Sequence, residues 1–430
     1  IYTLSLHDAL PIWSAIKISR LDNGIRIVTE HITGVRSVAV GIWAGAGAAY
    51  EEDRYSGVSH FTEHMMFKGT PDRTAMQIAS DIDKIGGQIN AFTGKEATCY
   101  YVKTTADEFE RASDVLVDMI NNSMFAKVEM DRERMVVREE LKMTLDTPDD
   151  LAVETATDMI FANKGLGNSI LGTPGSLARI TSSVMHTYVD GNYTADNIVI
   201  SVAGAVNEKK VLEYFSDKFD GLKKKSSKKV LPRVRYEPQY KSIKKDIEQS
   251  HICLAAPGIK LADDDYYAFS ILTNTLGGSM SSRLFQTVRE RQGLAYSVYA
   301  SLGLFAAGGY FMIYAGVGRN NIRPAAAAIK SEILKLAKEG ITQDELESSR
   351  AQLKASYVFS LESTSGRMFR NGKNTLLLGR PYDGDEIIKG FSRVTADDID
   401  KVRKKISKYD RYSACIVSPS RLDVRSIVEG

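Results

Sequence analysis

The feature that most constrains the fold is a series of predicted elements that occurs twice along the 430-residue chain. Each series consists of a strand, two helices and a hairpin. In the first half the elements are predicted at 38–43, 56–67, 74–85, 88–93 and 98–104. In the second half they are predicted at 251–255, 262–276, a helix that ends at 291, 295–304 and 309–316. Because the order recurs while residue-level similarity is faint, we predict a duplicated domain.

A change in composition separates the two halves. Residues 222–236 read LKKKSSKKVLPRVRY, a charged stretch that contains proline and is typical of a linker. We therefore predict an N-terminal domain at 13–221, a linker at 222–238 and a C-terminal domain at 239–430. The alternative for the lysine run, a local patch that binds nucleic acid or lipid, stays open.

The overall composition is that of an ordinary globular protein and does not indicate nucleic acid or a membrane as a partner. Hydrophobic residues make up 43% of the chain, and 56 Lys and Arg residues nearly balance 54 Asp and Glu residues, which gives a net charge of +2. Such a balance provides no global field for nucleic acid or an acidic membrane, and no apolar run approaches the roughly 18 residues of a membrane span. We expect neither partner.

Cysteine usage predicts a reducing compartment. Cys99, Cys253 and Cys415 lie far apart and form no CxxC pair, so neither a disulfide framework nor a thiolate metal site is expected. Residues 1–12, IYTLSLHDALPI, resemble a translated sequencing adapter and are excluded from fold reasoning. We expect the true N-terminus, with any targeting peptide, to be missing.

The pattern His60-Phe61-Thr62-Glu63-His64 lies on the helix predicted at 56–67, for which Ser56 is the expected N-cap. Residues three and four positions apart share a helix face, so both imidazoles and the carboxylate should project together. This arrangement offers a tetrahedral cation two nitrogen ligands, with a carboxylate beside the metal. The alternative is a chance pair of histidines on an amphipathic helix.

A second helix, predicted at 128–145, carries the acidic residues Glu133, Glu139 and Glu140. Glu133 and Glu140 are two turns apart and share a face, so Glu140 can complete a metal site while Glu133 orients or buffers it. In isolation these glutamates would be interpreted as an ordinary solvated face. The histidine pair upstream makes the metal site the better interpretation.

Three separated motifs resemble the pitrilysin/insulinase family of inverzincin metallopeptidases. They are HFTEHMMFKGT at His60–Thr70, ERMVVREELKM at Glu133–Met143 and RERQGLAYSVYAS at Arg289–Ser301. The resemblance is strongest to short members related to the mitochondrial processing peptidase β-subunit and to bacterial processing-peptidase-like proteins. It covers nearly the whole chain after residue 15.

The resemblance implies a site residue by residue. Its metal ligands are His60, His64 and Glu140, with one Zn²⁺ per chain, and Glu63 is the general base. Further residues implied by the family pattern are the auxiliary acidic residue Glu133, the substrate and oxyanion contacts Arg289 and Tyr296, and the substrate-binding edge strand Asn90, Ala91, Phe92 and Thr93.

The resemblance also implies a fold and an activity. Short members have two related α+β domains, each an antiparallel sheet faced by helices, of the LuxS/MPP-like metallohydrolase type. The expected function is a zinc-dependent metalloendopeptidase, cytoplasmic in a bacterium, that cleaves extended peptides inside a clamshell chamber. The chamber is expected to form from a homodimer or a heterodimer with an inactive paralogue. The alternative is that this chain is itself a catalytically inactive scaffold or partner subunit.

Overall fold

The computed structural model describes residues 15–162, 164–226, 231–232 and 234–430. The adapter-like residues 1–12 lie outside these ranges, and the described part of the predicted linker 222–238 contains no helix or strand. The strands are β1 (Ile16–Arg20), β2 (Arg26–His31), β3 (Ser37–Ala44), β4 (Gln88–Thr93), β5 (Thr98–Thr105), β6 (Ile198–Gly204), β7 (Tyr240–Lys244), β8 (Gln249–Pro257), β9 (Ala295–Leu304), β10 (Gly309–Gly318) and β11 (Ser413–Ser418).

The helices occur in similar order around each group of strands, together with a π-helix at Phe285–Arg291. They are α1 (Val58–Met66), α2 (Ala75–Lys84), α3 (Phe109–Asn122), α4 (Lys127–Asp146), α5 (Pro148–Ile160), α6 (Pro174–Arg179), α7 (Ser182–Asn192), α8 (Glu208–Phe215), α9 (Tyr266–Gly277), α10 (Ile322–Glu339), α11 (Gln343–Ser360), α12 (Thr364–Leu378), α13 (Gly384–Arg393), α14 (Ala396–Ile406) and α15 (Val424–Glu429). Among the described residues, no helix combines the length and apolarity needed to cross a bilayer.

Two sheets with matching strand order form the centres of two related domains. The first sheet has the order β1-β2-β6-β3-β5-β4 and the second has the order β7-β11-β8-β10-β9. Apart from β1, each strand of one sheet has a counterpart at the same position in the other, which confirms the predicted α+β fold with two related domains. The predicted antiparallel sheets each contain one exception, because β2 pairs with β6 and β7 pairs with β11 in parallel. A long crossover, here most of a domain, makes such pairing possible.

Each sheet has one face on its own domain's core and the other face against a helix from the opposite half of the chain. Helix α5 covers β8 and β11 of the second sheet, while α12 covers β3 and β6 of the first. Glu30, 2% exposed on β2, pairs with Arg367 of α12 and accepts a hydrogen bond from Asn371 Nδ2 at 2.6 Å. The domains are therefore joined by exchanged helices as well as by the linker.

The start of α1 differs from the predicted cap at Ser56. Gly57 is the N-cap, with a left-handed φ of +89°, and a Cβ there would lie 2.8 Å from the Leu171 carbonyl oxygen. Glu51, which lies outside the helix, binds two N–H groups at this end, since it accepts from Gly57 N at 2.6 Å and from Ser59 N at 2.7 Å. A carboxylate at this end also interacts favourably with the positive N-terminal end of the helix dipole.

Candidate active site

Helix α1 separates an apolar face from a polar one. Val58, Phe61 and Met65 are at most 2% exposed in the core of the first domain. His60 and His64, four positions apart, project together toward α4, which packs against α1. The local spacing thus produces the predicted arrangement of the two imidazoles.

His60, His64 and Glu140 form a group of potential metal ligands. The two Nε2 atoms are 3.2 Å apart, and Glu140 Oε2 lies 3.6 Å from His60 Nε2 and 3.4 Å from His64 Nε2. Ligands about 2.0–2.1 Å from a tetrahedral zinc ion are separated by roughly 3.3–3.4 Å. The three atoms therefore have the spacing that one zinc ion requires, and the donor set of two imidazoles and one carboxylate suits that metal.

The neutral state of the His60 imidazole is consistent with metal binding. Burial, and then the charge of His64, lower the pKa of His60 to about 4, so His60 is neutral near pH 7. Neutral imidazole has a free nitrogen lone pair for a metal. His60 Nδ1 is buried and has no hydrogen-bond partner among the described residues, so the polar contacts of this ring are made through Nε2.

His64 is oriented by Glu133. Its Nδ1 lies 2.9 Å from Glu133 Oε1, and the other oxygen of Glu133 is 2.7 Å from Lys68 Nζ. A carboxylate on Nδ1 fixes the tautomer that leaves Nε2 free for the metal. Burial tends to raise the pKa of Glu133, but hydrogen bonds from Lys68 and His64 lower it below its ordinary value. Sequence reasoning missed Lys68, which lies four residues after His64 and just beyond the end of α1.

Glu63, the predicted general base, lines the same cavity as His60 and Glu140. Its Oε2 accepts a hydrogen bond from Thr93 Oγ1 at 2.5 Å. Burial raises the pKa of Glu63 above its ordinary value, while Thr93 and His64 act to lower it. The resemblance placed Thr93 in the substrate strand, but nothing in the sequence indicated that its hydroxyl would hold Glu63.

The strand predicted to bind substrate, Asn90 to Thr93, belongs to β4 at the edge of the first sheet. Side chains alternate along β4, so Ala91 and Thr93 point toward the domain core and the cavity. Phe92 also belongs to the cavity lining, and its ring packs against Trp43 and Phe369, at centroid distances of 5.5 and 5.7 Å. An edge strand with one unpaired side can accept an extended peptide.

Arg289 and Tyr296 lie next to each other but apart from the metal group. The guanidinium of Arg289 is 5.5 Å from the ring centre of Tyr296, which is 74% exposed on β9. Neither residue lines the cavity that contains His60. The opposite end of β9 leads to Phe305, which does line it. Nine residues of strand correspond to roughly 30 Å, so the pair lies far along β9 from the residue that lines the cavity.

A cavity of about 580 Å³ connects the metal group, β4 and the second domain. Four of its lining residues are acidic and one is basic. The sequence analysis did not predict that these charged residues would line one cavity. The charged lining residues are Glu63, Glu140, Asp150, Glu154 and Lys95. Phe305 and Tyr310 from the second domain close one side.

Comparisons with known proteins agree with this architecture. Residues 26–174 match the family described as "Insulinase (Peptidase family M16)", and residues 179–353 match the one described as "Peptidase M16 inactive domain". The chain is 41% identical over 405 residues to "Uncharacterized zinc protease YmxG" of Bacillus subtilis, covering 94% of this chain and 98% of the relative. It is 35% identical over 399 residues to "Uncharacterized zinc protease SCO5738" of Streptomyces coelicolor, covering 91% and 87%.

Solved structures share the fold at low sequence identity. A peptidase M16 inactive domain from Pseudomonas fluorescens superimposes with a TM-score of 0.87 at 18% identity, covering 94% of this chain and 98% of the other. A protease from Helicobacter pylori gives a TM-score of 0.87 at 21% identity, with coverage of 95% and 100%. With the family matches in both halves and full-length relatives above 30% identity, this chain belongs to the insulinase family, peptidase family M16.

Proposed function

We propose that the protein is a zinc-dependent endopeptidase that hydrolyses extended, unstructured peptides. The observation that carries the proposal is the spacing of 3.2–3.6 Å among the nitrogen and oxygen atoms of His60, His64 and Glu140. The names of the relatives, which include the words zinc protease, support the same metal and activity.

The chain's own residues supply the remaining chemistry. When bound, zinc lowers the pKa of water and polarises the scissile carbonyl. Glu63 removes the proton from the attacking water and delivers it to the leaving amine. Glu133 and Lys68 keep the His64 ring in the required tautomer, and Thr93 holds the Glu63 carboxylate in one orientation.

Substrate alignment follows from the edge position of β4. Its backbone pairs with an extended peptide by strand addition, which selects conformation more than side-chain identity. The acidic lining formed by Asp150 and Glu154 beside Glu63 favours basic segments of such a peptide over acidic ones. Basic, presequence-like peptides are therefore the first substrates to test, with general oligopeptides as the alternative class.

A second chain is part of the proposal. Because Arg289 and Tyr296 are remote from the cavity of their own chain, we assign them to the site of a partner chain across a clamshell chamber. There they contact the substrate and the developing oxyanion. Mixed dimers of Glu63→Gln and Arg289→Ala chains should regain partial activity, whereas no recovery after demonstrated subunit exchange would contradict assignment to the partner. A bacterial cytoplasmic location completes the proposal.

The substitution Glu63→Gln tests the enzymatic function. It should reduce cleavage of a fluorogenic basic peptide by about 10²–10⁴-fold, because the base is lost, while zinc remains at one ion per chain. Glu139→Gln is the matched control and should retain activity, because Glu139 precedes the proposed ligand Glu140 but is exposed and pairs with Lys142. If the wild-type zinc protein cleaves no peptide in a defined mixture, the alternative of an inactive scaffold subunit is favoured.

A further inference from the structure

The turns of the two equivalent hairpins meet where the domains touch. The β4–β5 turn covers residues 94–97 and the β9–β10 turn covers residues 305–308. Glu96 accepts hydrogen bonds from Ala306 N at 2.8 Å and from Ala307 N at 3.3 Å, one on each carboxylate oxygen. Glu96 is only 4% exposed, so this charge-assisted contact is shielded from water.

The β4–β5 turn is also held from the side of its own domain. Ala48 N donates to Gly94 O at 3.2 Å, and Ala49 N donates to Lys95 O at 2.8 Å. The packing is close, because a Cβ on Gly47 would lie 2.5 Å from Gly94 O. The turn is therefore held on two sides, by Ala48 and Ala49 of its own domain and, through Glu96, by the second domain.

The end of β4 is linked in turn to the general base. Thr93 immediately precedes the turn and donates to Glu63 Oε2 at 2.5 Å. Thr98, at the start of β5, donates to the carbonyl of Ala46 at 2.8 Å and thereby fixes the other strand of the hairpin. A short chain of contacts thus leads from Glu96 through the turn and Thr93 to Glu63.

The partner turn of this contact forms part of the cavity wall. Phe305 lies in the β9–β10 turn and Tyr310 follows it, and both line the cavity that contains His60 and Glu63. The Glu96 contact therefore links the turn that follows the substrate strand, on one side of the cavity, to the second domain on the other.

We infer that Glu96 is a positioning residue, which couples the second domain to the substrate strand and, through Thr93, to Glu63. The inference rests on the proposed peptidase function and adds to it an interdomain control of substrate alignment. A displacement of about 1 Å in a reacting group lowers rates by as much as 100-fold, so loss of the contact should act on the chemical step more than on binding.

The test uses the full-length zinc protein and the variants Glu96→Ala, Thr93→Val, Thr93→Ser and the double variant Glu96→Ala/Thr93→Val. Glu96→Ala and Thr93→Val should each lower kcat by about 10–100-fold with KM changed less than about threefold. The double variant should be no more than about threefold slower than the slower single variant, since both residues act along one path. Thr93→Ser keeps the hydroxyl, so its kcat should be within about threefold of the wild-type value.

Amide hydrogen exchange provides a readout that does not need activity. Glu96→Ala should accelerate exchange at residues 88–97 and 305–308 without changing zinc content. Glu345→Gln is the control, because Glu345 also accepts a backbone N–H, from Thr342 at 2.7 Å, but lies in the second domain outside the cavity lining. It should leave kcat and exchange at residues 88–97 unchanged.

Three results would overturn the inference. Each is sufficient: a wild-type kcat in Glu96→Ala, multiplicative losses of kcat in the double variant, or unchanged amide exchange at residues 88–97 in Glu96→Ala. If the wild-type zinc protein cleaves no peptide, the proposed function fails separately. The exchange measurement then decides the coupling alone: faster exchange at 88–97 supports it and unchanged exchange refutes it.

Discussion

The two domains contain equivalent helix pairs that are joined by different side chains. In the first domain α1 packs against α4, and in the second α9 packs against α11. The α1/α4 pair is joined by His64 and Glu133 and brings Glu140 to the histidines. The α9/α11 pair is joined by uncharged groups, since Asn274 Nδ2 donates to Gln352 Oε1 at 2.8 Å and the hydroxyls of Thr275 and Ser349 are 2.8 Å apart.

The difference between the two pairs indicates which side chains are required for helix packing and which for metal binding. The α9/α11 pair shows that this packing forms with hydrogen bonds between neutral amide and hydroxyl groups. The imidazoles and carboxylates of α1/α4 are therefore not required for helix packing, and collecting like groups in a partly buried place costs free energy unless a cation is bound. Substitutions in α1/α4 should alter metal binding and turnover, whereas those in α9/α11 should alter stability alone.

The largest expected effect comes from His60→Ala. Loss of one of three ligands should abolish stoichiometric zinc binding and lower kcat/KM by at least about 10³-fold, because zinc supplies several kcal/mol to the transition state. Metal analysis and peptide hydrolysis measure both effects. Circular dichroism should match that of the chelator-treated wild type, and unfolding of the variant would contradict the separation of fold from chemistry.

An intermediate effect is expected for Glu133→Gln. Removing the charge that holds His64 Nδ1 should weaken zinc affinity by about 10–100-fold, as for other groups that orient metal-bound histidines. Competition with a chromophoric chelator measures the affinity, and Glu139→Gln on the same helix is the control. An unchanged affinity would mean that the Glu133 carboxylate is not needed to orient His64.

The smallest effect is expected in the second domain. Thr275→Val should lower the free energy of unfolding by about 1–3 kcal/mol, because it leaves the buried Ser349 hydroxyl without this partner. Thr275→Val combined with Ser349→Ala should cost less than the sum of the single changes, since both hydrogen-bonding groups are then removed. Urea unfolding of the zinc protein measures this, and altered zinc content in either variant would contradict the comparison.

Much of the architecture followed from local patterns. The spacing of His60 and His64 on a helix dictates a shared face, and the alternation in residues 88–93 dictates a strand, because both depend on near neighbours in the sequence. The repeated order of elements indicated two related domains. The motifs named the family, because their residues and spacing are specific to it.

Tertiary structure alone decided how distant parts meet. Glu133 and Glu140 share one helix face, so helical spacing permits either to approach the histidines, and only the packing of α4 on α1 puts Glu140 on both Nε2 atoms and Glu133 on Nδ1. The exchange of α5 and α12 between the sheets has no local signal. The same holds for the contact of Glu96 with Ala306, 210 residues away. Such contacts depend on how whole domains pack, and a sequence pattern describes only what neighbouring residues do.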